Sequence, residues 1–356
     1  MDPRCPQLAV LALAIGPATC WSVRVHPDPL NPVDSNPNRP LQPMSPNSPL
    51  NQISQTHELV DAGYSHRELA RLTRAGDLIH LRRGAYAWAP DNVGEGAPQH
   101  ERLILATQPQ LAPDSVVSHL SAAVLHGLPL WGAGPARVQV TRTDQGRGKR
   151  RGHVHLHVAP LEVAEVTEIR GVRVTSLGRT VVDLGRSSPM EQAVMAGDAA
   201  LRAGCSQDEL QAVLTRARSR PGVAAARRAV GFLDARSESP GESLSRVTFF
   251  RLGLPAPDLQ FSVFDGRGSL VGRTDFCWEA QRTLGEFDGR IKYGALLKPG
   301  ERPEDVVYRE KRREDALRDL GWQLVRWSWS DLGNLRALAD RMHRAFARGA
   351  QLRALY

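Results

Sequence analysis

Residues 274–292 read TDFCWEAQRTLGEFDGRIK, and the C-terminal third of the chain takes its meaning from them. Residues 274–278 and 283–288 read as strands, and the four residues between them are a normal hairpin connection. If Trp278 pairs with Thr283, Asp275 falls opposite Glu286. Side chains alternate faces along a strand, so Glu286 and Asp288 share a face while Phe287 points the other way, into a core. Asp275, Glu286 and Asp288 are thus predicted to converge on one face of one hairpin. Like charges set opposite each other destabilise a sheet, so the arrangement makes sense chiefly if a hard divalent cation, magnesium or manganese, sits among the oxygens. A metal so held activates water for hydrolysis, the chemistry of a metal-dependent nuclease.

The flanks extend this reading. Upstream, SPGESLSRVTFFRLGL at 239–254 has the pattern of an amphipathic helix, with Leu244, Val247, Phe250 and Leu254 as its buried stripe and Glu242 off that stripe. Downstream come a basic helix over about 304–320, a strand over 322–327 and a last helix from about Leu332. With LGLP, DF, EFDG, REKRRE and LGW in this order, residues 238–335 resemble the PD-(D/E)XK superfamily, in particular proteins similar to very-short-patch-repair endonucleases. The resemblance implies a restriction-endonuclease-like α/β domain over residues 236–356. It matches Asp275 to the first metal-binding aspartate, Glu286 to the second acid and Glu242 to a supporting helix glutamate. The parent motif carries a lysine two residues after the second acid, where this chain has Asp288. That lysine positions the attacking water and offsets transition-state charge. Here Lys292, or Lys311 on the next helix, is the candidate replacement.

At the other end of the globular sequence, residues 53–61 have helical composition and Gly63 stops them. Ser65 followed three residues later by Glu68 is a capping box, opening a helix that runs to about Ala75 and closes at Gly76. Arg67, Arg71 and Arg74 fall in one narrow arc of this helix, with Leu69 and Leu72 opposite. LIHLRRGAYAW at 78–88 then reads as two short strands meeting at Arg83-Gly84, the wing of a winged helix-turn-helix, with Arg82 and Arg83 at its tip. Residues 51–92 hold as many acids as bases, so the segment has no bulk basicity, yet its cations are sorted to one helix and one turn. Sorting matters because phosphate contact depends on the potential within a Debye length of ~10 Å. Duplex DNA is the expected partner.

This pattern, with SHLSAAVLHGL at 118–128 and TSLGRTVVDLGR at 175–186, resembles the AbiEi-type antitoxins of abortive-infection toxin–antitoxin systems and their actinobacterial relatives. The resemblance covers residues 51 to about 235. It implies a winged helix over 51–95, an α/β domain over 96–235, autoregulatory DNA binding and a cognate toxin as possible partner.

The middle segment reads mostly as architecture. His119 and His126 lie seven apart on a predicted helix over 118–126, and packing or capping explains them better than a metal. Residues 137–141 and 154–158 read as strands joined by the loop DQGRGKRRG, whose Arg147, Lys149, Arg150 and Arg151 form either a solvated tip or a phosphate-contacting arm. His153, His155 and His157 alternate along one strand face, where a solvent or interface role is favoured over a metal site. Residues 189–235 are helical in composition, best at 193–201 and 207–215.

The whole is thus expected to be an α/β, α+β multidomain chain. Its 356 residues exceed one ordinary core. Net charge is +8 and the isoelectric point about 9.8, which favours a polyanionic partner. Cys5, Cys20, Cys205 and Cys277 are scattered, without zinc or disulfide spacing, which suits a reducing cytoplasm. Residues 8–15 are too short an apolar run to span a bilayer. Residues 1–50 carry 11 of the 25 prolines, as a disordered segment does, and Met44 is a candidate alternative start. Two functions of different class follow: a DNA-binding magnesium-dependent endonuclease of repair or defence type, and a non-catalytic transcriptional regulator or antitoxin bound to its own promoter.

Overall fold

The computed structural model describes residues 53–88, 97–130, 132, 134–143, 148–289 and 303–353. The proline-rich segment with its apolar run and Met44, together with Arg147 and Lys292, lies outside the described residues. The protein is mixed α/β, and the described residues form three sheets.

The first comprises β1 (Ile53–Gln55), β2 (Leu78–Arg82) and β3 (Ala85–Trp88) in the order β1-β3-β2, with α1 (Thr56–Asp61) and α2 (His66–Ala75) inserted between β1 and β2. Residues 53–55, expected to be helical, instead pair antiparallel with β3, with Ile53 opposite Ala87. The open edge of β3 outweighs a weak helical preference. Helix α2 has the predicted ends: Glu68 N–H donates to Ser65 Oγ at 3.2 Å, Ser65 N–H to Glu68 Oε2 at 2.8 Å, and Gly76 closes the helix at φ 85°. Leu59, Leu69 and Leu78 form the core beneath it, with Tyr64, Leu72, Tyr86 and Trp88 packed around them.

The chain continues through α3 (Ala97–Thr107), β4 (Val116–Val117), α4 (His119–Leu125), β5 (Val138–Arg142), β6 (Lys149–Arg151), β7 (Val154–Val158), β8 (Val166–Ile169) and β9 (Val172–Thr175). These strands make a six-stranded mixed sheet, β6-β7-β5-β4-β9-β8. Strands β5 and β7 are not the two arms of a hairpin: they run parallel, with Val138 opposite Val154. Parallel neighbours need a connection that carries the chain back. Strand β6 is part of that return and pairs antiparallel on the outer edge of β7. Four helices follow, α5 (Leu177–Ser187), α6 (Met190–Arg202), α7 (Gln207–Arg216) and α8 (Val223–Val230), and pack around Val181, Val182, Leu184, Leu210 and Leu214.

The last sheet is β10 (Asp258–Phe264), β11 (Leu270–Trp278), β12 (Thr283–Asp288) and β13 (Gln323–Ser328), in sequence order, after α9 (Pro240–Arg251). Helix α10 (Pro303–Asp319) precedes β13; α11 (Trp329–Leu332) and α12 (Leu335–Arg353) end the described chain. The expected register is present, with Trp278 opposite Thr283 and Phe276 opposite Gly285. Strand β13 adds in parallel to β12, placing Arg326 beside Glu286. Phe249, Phe276, Trp278 and Trp327 form an aromatic core with neighbouring ring centroids 5.1–6.5 Å apart. Gly285 admits them: a Cβ there would lie 2.7 Å from Trp327 and 2.8 Å from Trp278. The predicted stripe of α9 is corrected at one position. Phe250 is 63% exposed, and Phe249 enters the core in its place.

Candidate functional site

The acids of the C-terminal sheet are brought together by close packing at a glycine. A Cβ at Gly241 would overlap the Phe287 ring, so only glycine lets the start of α9 lie against β12. That approach seats Glu242, 7% exposed, near Asp275. Ser239 caps α9, accepting from Glu242 N–H at 3.2 Å, and Glu242 Oε2 accepts from Glu238 N–H at 2.8 Å and Gln260 Nε2 at 2.9 Å. Gln260 stands on β10 between Leu259, opposite Phe276, and Phe261, opposite Thr274, level with Asp275. Asp275 Oδ2 accepts from Phe287 N–H at 2.8 Å. Burial, then the charges of Glu242 and Glu286, push the Asp275 carboxyl up to about 7, against the pull of that hydrogen bond. Burial likewise raises Glu242.

Glu286 takes a different course from the one its strand position suggests. Its Oε1 accepts from Arg313 Nη2 at 2.6 Å and its Oε2 from Arg326 Nε at 2.8 Å. The same guanidinium groups bind Glu310 and Glu314, forming an ionic network that joins α10, β12 and β13. Arg313 and Arg326 were not among the expected site residues. Helical spacing from Leu317 and strand pairing with Glu286 are the signals that point to them. Lys311 is exposed, two residues from Arg313 and so away from the face that meets the sheet. Asp288 lies at the exposed end of β12.

Among the described residues no group of three or more His, Cys, Asp or Glu side chains is placed to hold a metal ion. Carboxylate oxygens are the ligands a hard divalent cation takes, but arginines already hold both Glu286 oxygens.

The cationic residues divide in the same way. Arg67, Arg71 and Arg74 are exposed along α2, and Arg83 is exposed in the turn between β2 and β3. Arg82 is not at a tip. It is 3% exposed, its Nε donates to the Ala106 carbonyl at 2.8 Å and its Nη1 to the Arg83 carbonyl at 2.7 Å. Its guanidinium terminates α3 rather than facing solvent, because the orphan carbonyls of a helix end draw a buried cation. Lys149, Arg150 and Arg151 are exposed, but on the edge strand β6 rather than in a loop, where basic residues also block edge-to-edge pairing.

His126 makes the expected packing tie, its Nε2 2.7 Å from the Thr175 carbonyl. His119 and His157, by contrast, stack on each other with ring centroids 3.7 Å apart. The free thiols Cys205 and Cys277 are buried, and no described helix is long and apolar enough to cross a membrane.

No family model matches the chain. Two relatives from Mycobacterium tuberculosis, the uncharacterized proteins MT2308 and Rv2248, are each 29% identical to it over 263 residues, which span 73% of this chain and 89% of each relative. The crystal structure of the RV2827C protein from Mycobacterium tuberculosis aligns with 60% of this chain and 83% of its own at a TM-score of 0.32 and 16% identity.

Proposed function

We propose that this is a DNA-binding protein in which residues 51–95 act as a winged helix-turn-helix, α2 as its recognition helix and the β2–β3 turn as its wing. The observation that carries this is the exposure of Arg67, Arg71 and Arg74 on one side of a helix whose other side is core, with Arg83 exposed in the adjacent turn. Lys149, Arg150 and Arg151 on β6 are a second exposed cationic strip. Behind it we read an AbiEi-like α/β domain over 96–235 and a PD-(D/E)XK-like domain over 236–356, in a protein of the cytoplasm. Fluorescence anisotropy with a labelled duplex tests the DNA claim. Arg67→Ala, Arg71→Ala, Arg74→Ala together are expected to lower the slope of log affinity against log salt by about 2 to 3. An unchanged slope refutes it.

Two readings of the C-terminal domain are each supported by an observation. The charge demand at Asp275 supports a magnesium- or manganese-dependent endodeoxyribonuclease using Asp275, Glu286, Asp288 and Glu242. The arginine clamp on Glu286 supports a non-catalytic regulator or antitoxin, in which guanidinium charge stands where a metal would. Supercoiled plasmid incubated with either metal separates them. Nicking by the wild type that Asp275→Asn abolishes establishes the nuclease; equal traces of nicking from both leave the regulator.

A further inference from the structure

Blocks that read in the sequence as architecture, SHLSAAVLHGL and TSLGRTVVDLGR, meet the histidines of β7 around one pocket of about 220 Å³. Arg179, Asp183 and Arg186 recur at intervals of four and three on α5 and share one face of it. Asp183 accepts from Arg179 Nε at 2.7 Å and from Arg186 Nη1 at 2.9 Å. Arg179 Nη1 donates to Glu165 Oε2 at 2.6 Å and to the Pro160 carbonyl at 3.0 Å. His119, His155 and His157 also line the pocket; His157 stacks on His119, and the centroids of His155 and His157 are 4.1 Å apart.

Several features of this pocket are those of a ligand site. Arg179 Nη2 and His157 Nε2 are buried without hydrogen-bond partners. Two orphaned polar groups beside one cavity call for a third component, since buried polar groups are normally satisfied. His119 is buried at φ 54°, a backbone conformation that a non-glycine residue adopts only when its surroundings impose it. Burial keeps the His119 and His157 rings neutral, so each retains one N–H donor. Charge lining the pocket is unbalanced: the single carboxylate Asp183 faces both Arg179 and Arg186. Stacked imidazoles present ring faces to each other instead of converging lone pairs, which is unlike a metal centre. The volume falls below the ~300–1,000 Å³ of sites for drug-sized ligands, so the guest is compact.

We propose that this pocket binds a phosphate group, as orthophosphate or as the phosphate of a nucleoside monophosphate, through Arg179, Arg186, His119 and His157. Arg179 Nη2 is the donor left over once Asp183, Glu165 and Pro160 hold the rest of that guanidinium, and charged N–H donors and neutral imidazole donors both make directed hydrogen bonds to phosphate oxygens. The pocket shares no lining residue with α2 or with the C-terminal acids, so the proposal does not rest on what either does.

Isothermal titration of the full-length protein with sodium phosphate, adenosine monophosphate and sodium acetate at matched ionic strength tests it. Saturable one-to-one binding of phosphate is expected, at least tenfold weaker in Arg186→Gln and in His157→Gln. The protein carrying Arg67→Ala, Arg71→Ala and Arg74→Ala should bind as the wild type does, which separates this site from the α2 contacts. Should Arg186→Gln melt at a lower temperature, Arg186→Lys, which keeps the charge, is expected to hold phosphate within a few-fold of the wild type. Tighter binding of adenosine monophosphate than of phosphate assigns the group to a nucleotide; equal affinity assigns it to free phosphate. Absence of saturation by both phosphates, equal affinity in both glutamine variants, or acetate binding as tightly as phosphate overturns the proposal.

Discussion

Asp275→Asn probes the electrostatics at the centre of the C-terminal sheet. Burial and the nearby Glu242 and Glu286 lift the Asp275 carboxyl from 3.8 to about 7. Between those values the folded protein holds a proton that the unfolded chain has released. The stability contribution is therefore fully present below about pH 4 and is lost as pH rises through about 7. At ~1.4 kcal/mol for each pH unit of that window the loss is about 4 kcal/mol, reduced to about 2 kcal/mol if water reaches the site in part. Asparagine cannot ionise, and its amide oxygen can still accept the Phe287 N–H now bound at 2.8 Å. The variant should gain about 2 to 4 kcal/mol on the wild type between pH 4 and pH 8. Urea unfolding followed by tryptophan fluorescence reports on this region because Trp278, Trp322, Trp327 and Trp329, four of the seven tryptophans, lie in it. Two stability curves that stay parallel across that range would refute the reasoning. A magnesium-dependent stabilisation of the wild type at pH 8, absent from the variant, would in addition locate a cation at this carboxyl.

Gly241→Ala should cost about 1 to 3 kcal/mol in the same urea experiment, because its Cβ meets the Phe287 ring, and combining it with Phe287→Ala should recover part of that loss. Arg82→Ala should destabilise by about 2 to 3 kcal/mol by leaving the Ala106 carbonyl buried and unpaired, whereas Arg83→Ala should leave thermal stability unchanged and weaken duplex binding in anisotropy. Glu286→Gln should lower stability by about 1 kcal/mol at low salt and less at high salt, since its partners Arg313 and Arg326 are partly exposed and screened.

Where local rules are strong, the elements were legible in the chain. The Ser65–Glu68 box and Gly76 set both ends of α2, and the Trp278–Thr283 pairing followed from connection length and strand alternation. Strand β10 is joined to β11 by the short turn DGRGS at 265–269, a local hairpin signal that the expected elements leave out, whereas the parallel pairing of β5 with β7 was not legible because a returning strand, β6, intervenes and nothing local marks which edges meet. The site divides along the same line. Strand alternation and the Trp278–Thr283 register are enough to set Asp275 and Glu286 on one face of the hairpin, while their fates depend on what other elements bring. Arg313 from α10 and Arg326 from β13 hold Glu286; Glu242 from α9 lies near Asp275.

The arginines make the contrast sharpest. Arg82 and Arg83 are adjacent and chemically identical, yet one is buried against the end of α3 and the other exposed in a turn. By itself the sequence determined which residues could share a helix arc or a strand face, because those periods are properties of the backbone. Only the tertiary structure decided which charges meet, because an ion pair forms where distant segments pack, and neither Glu286 with its arginines nor His119 with His157 is a neighbour in the chain.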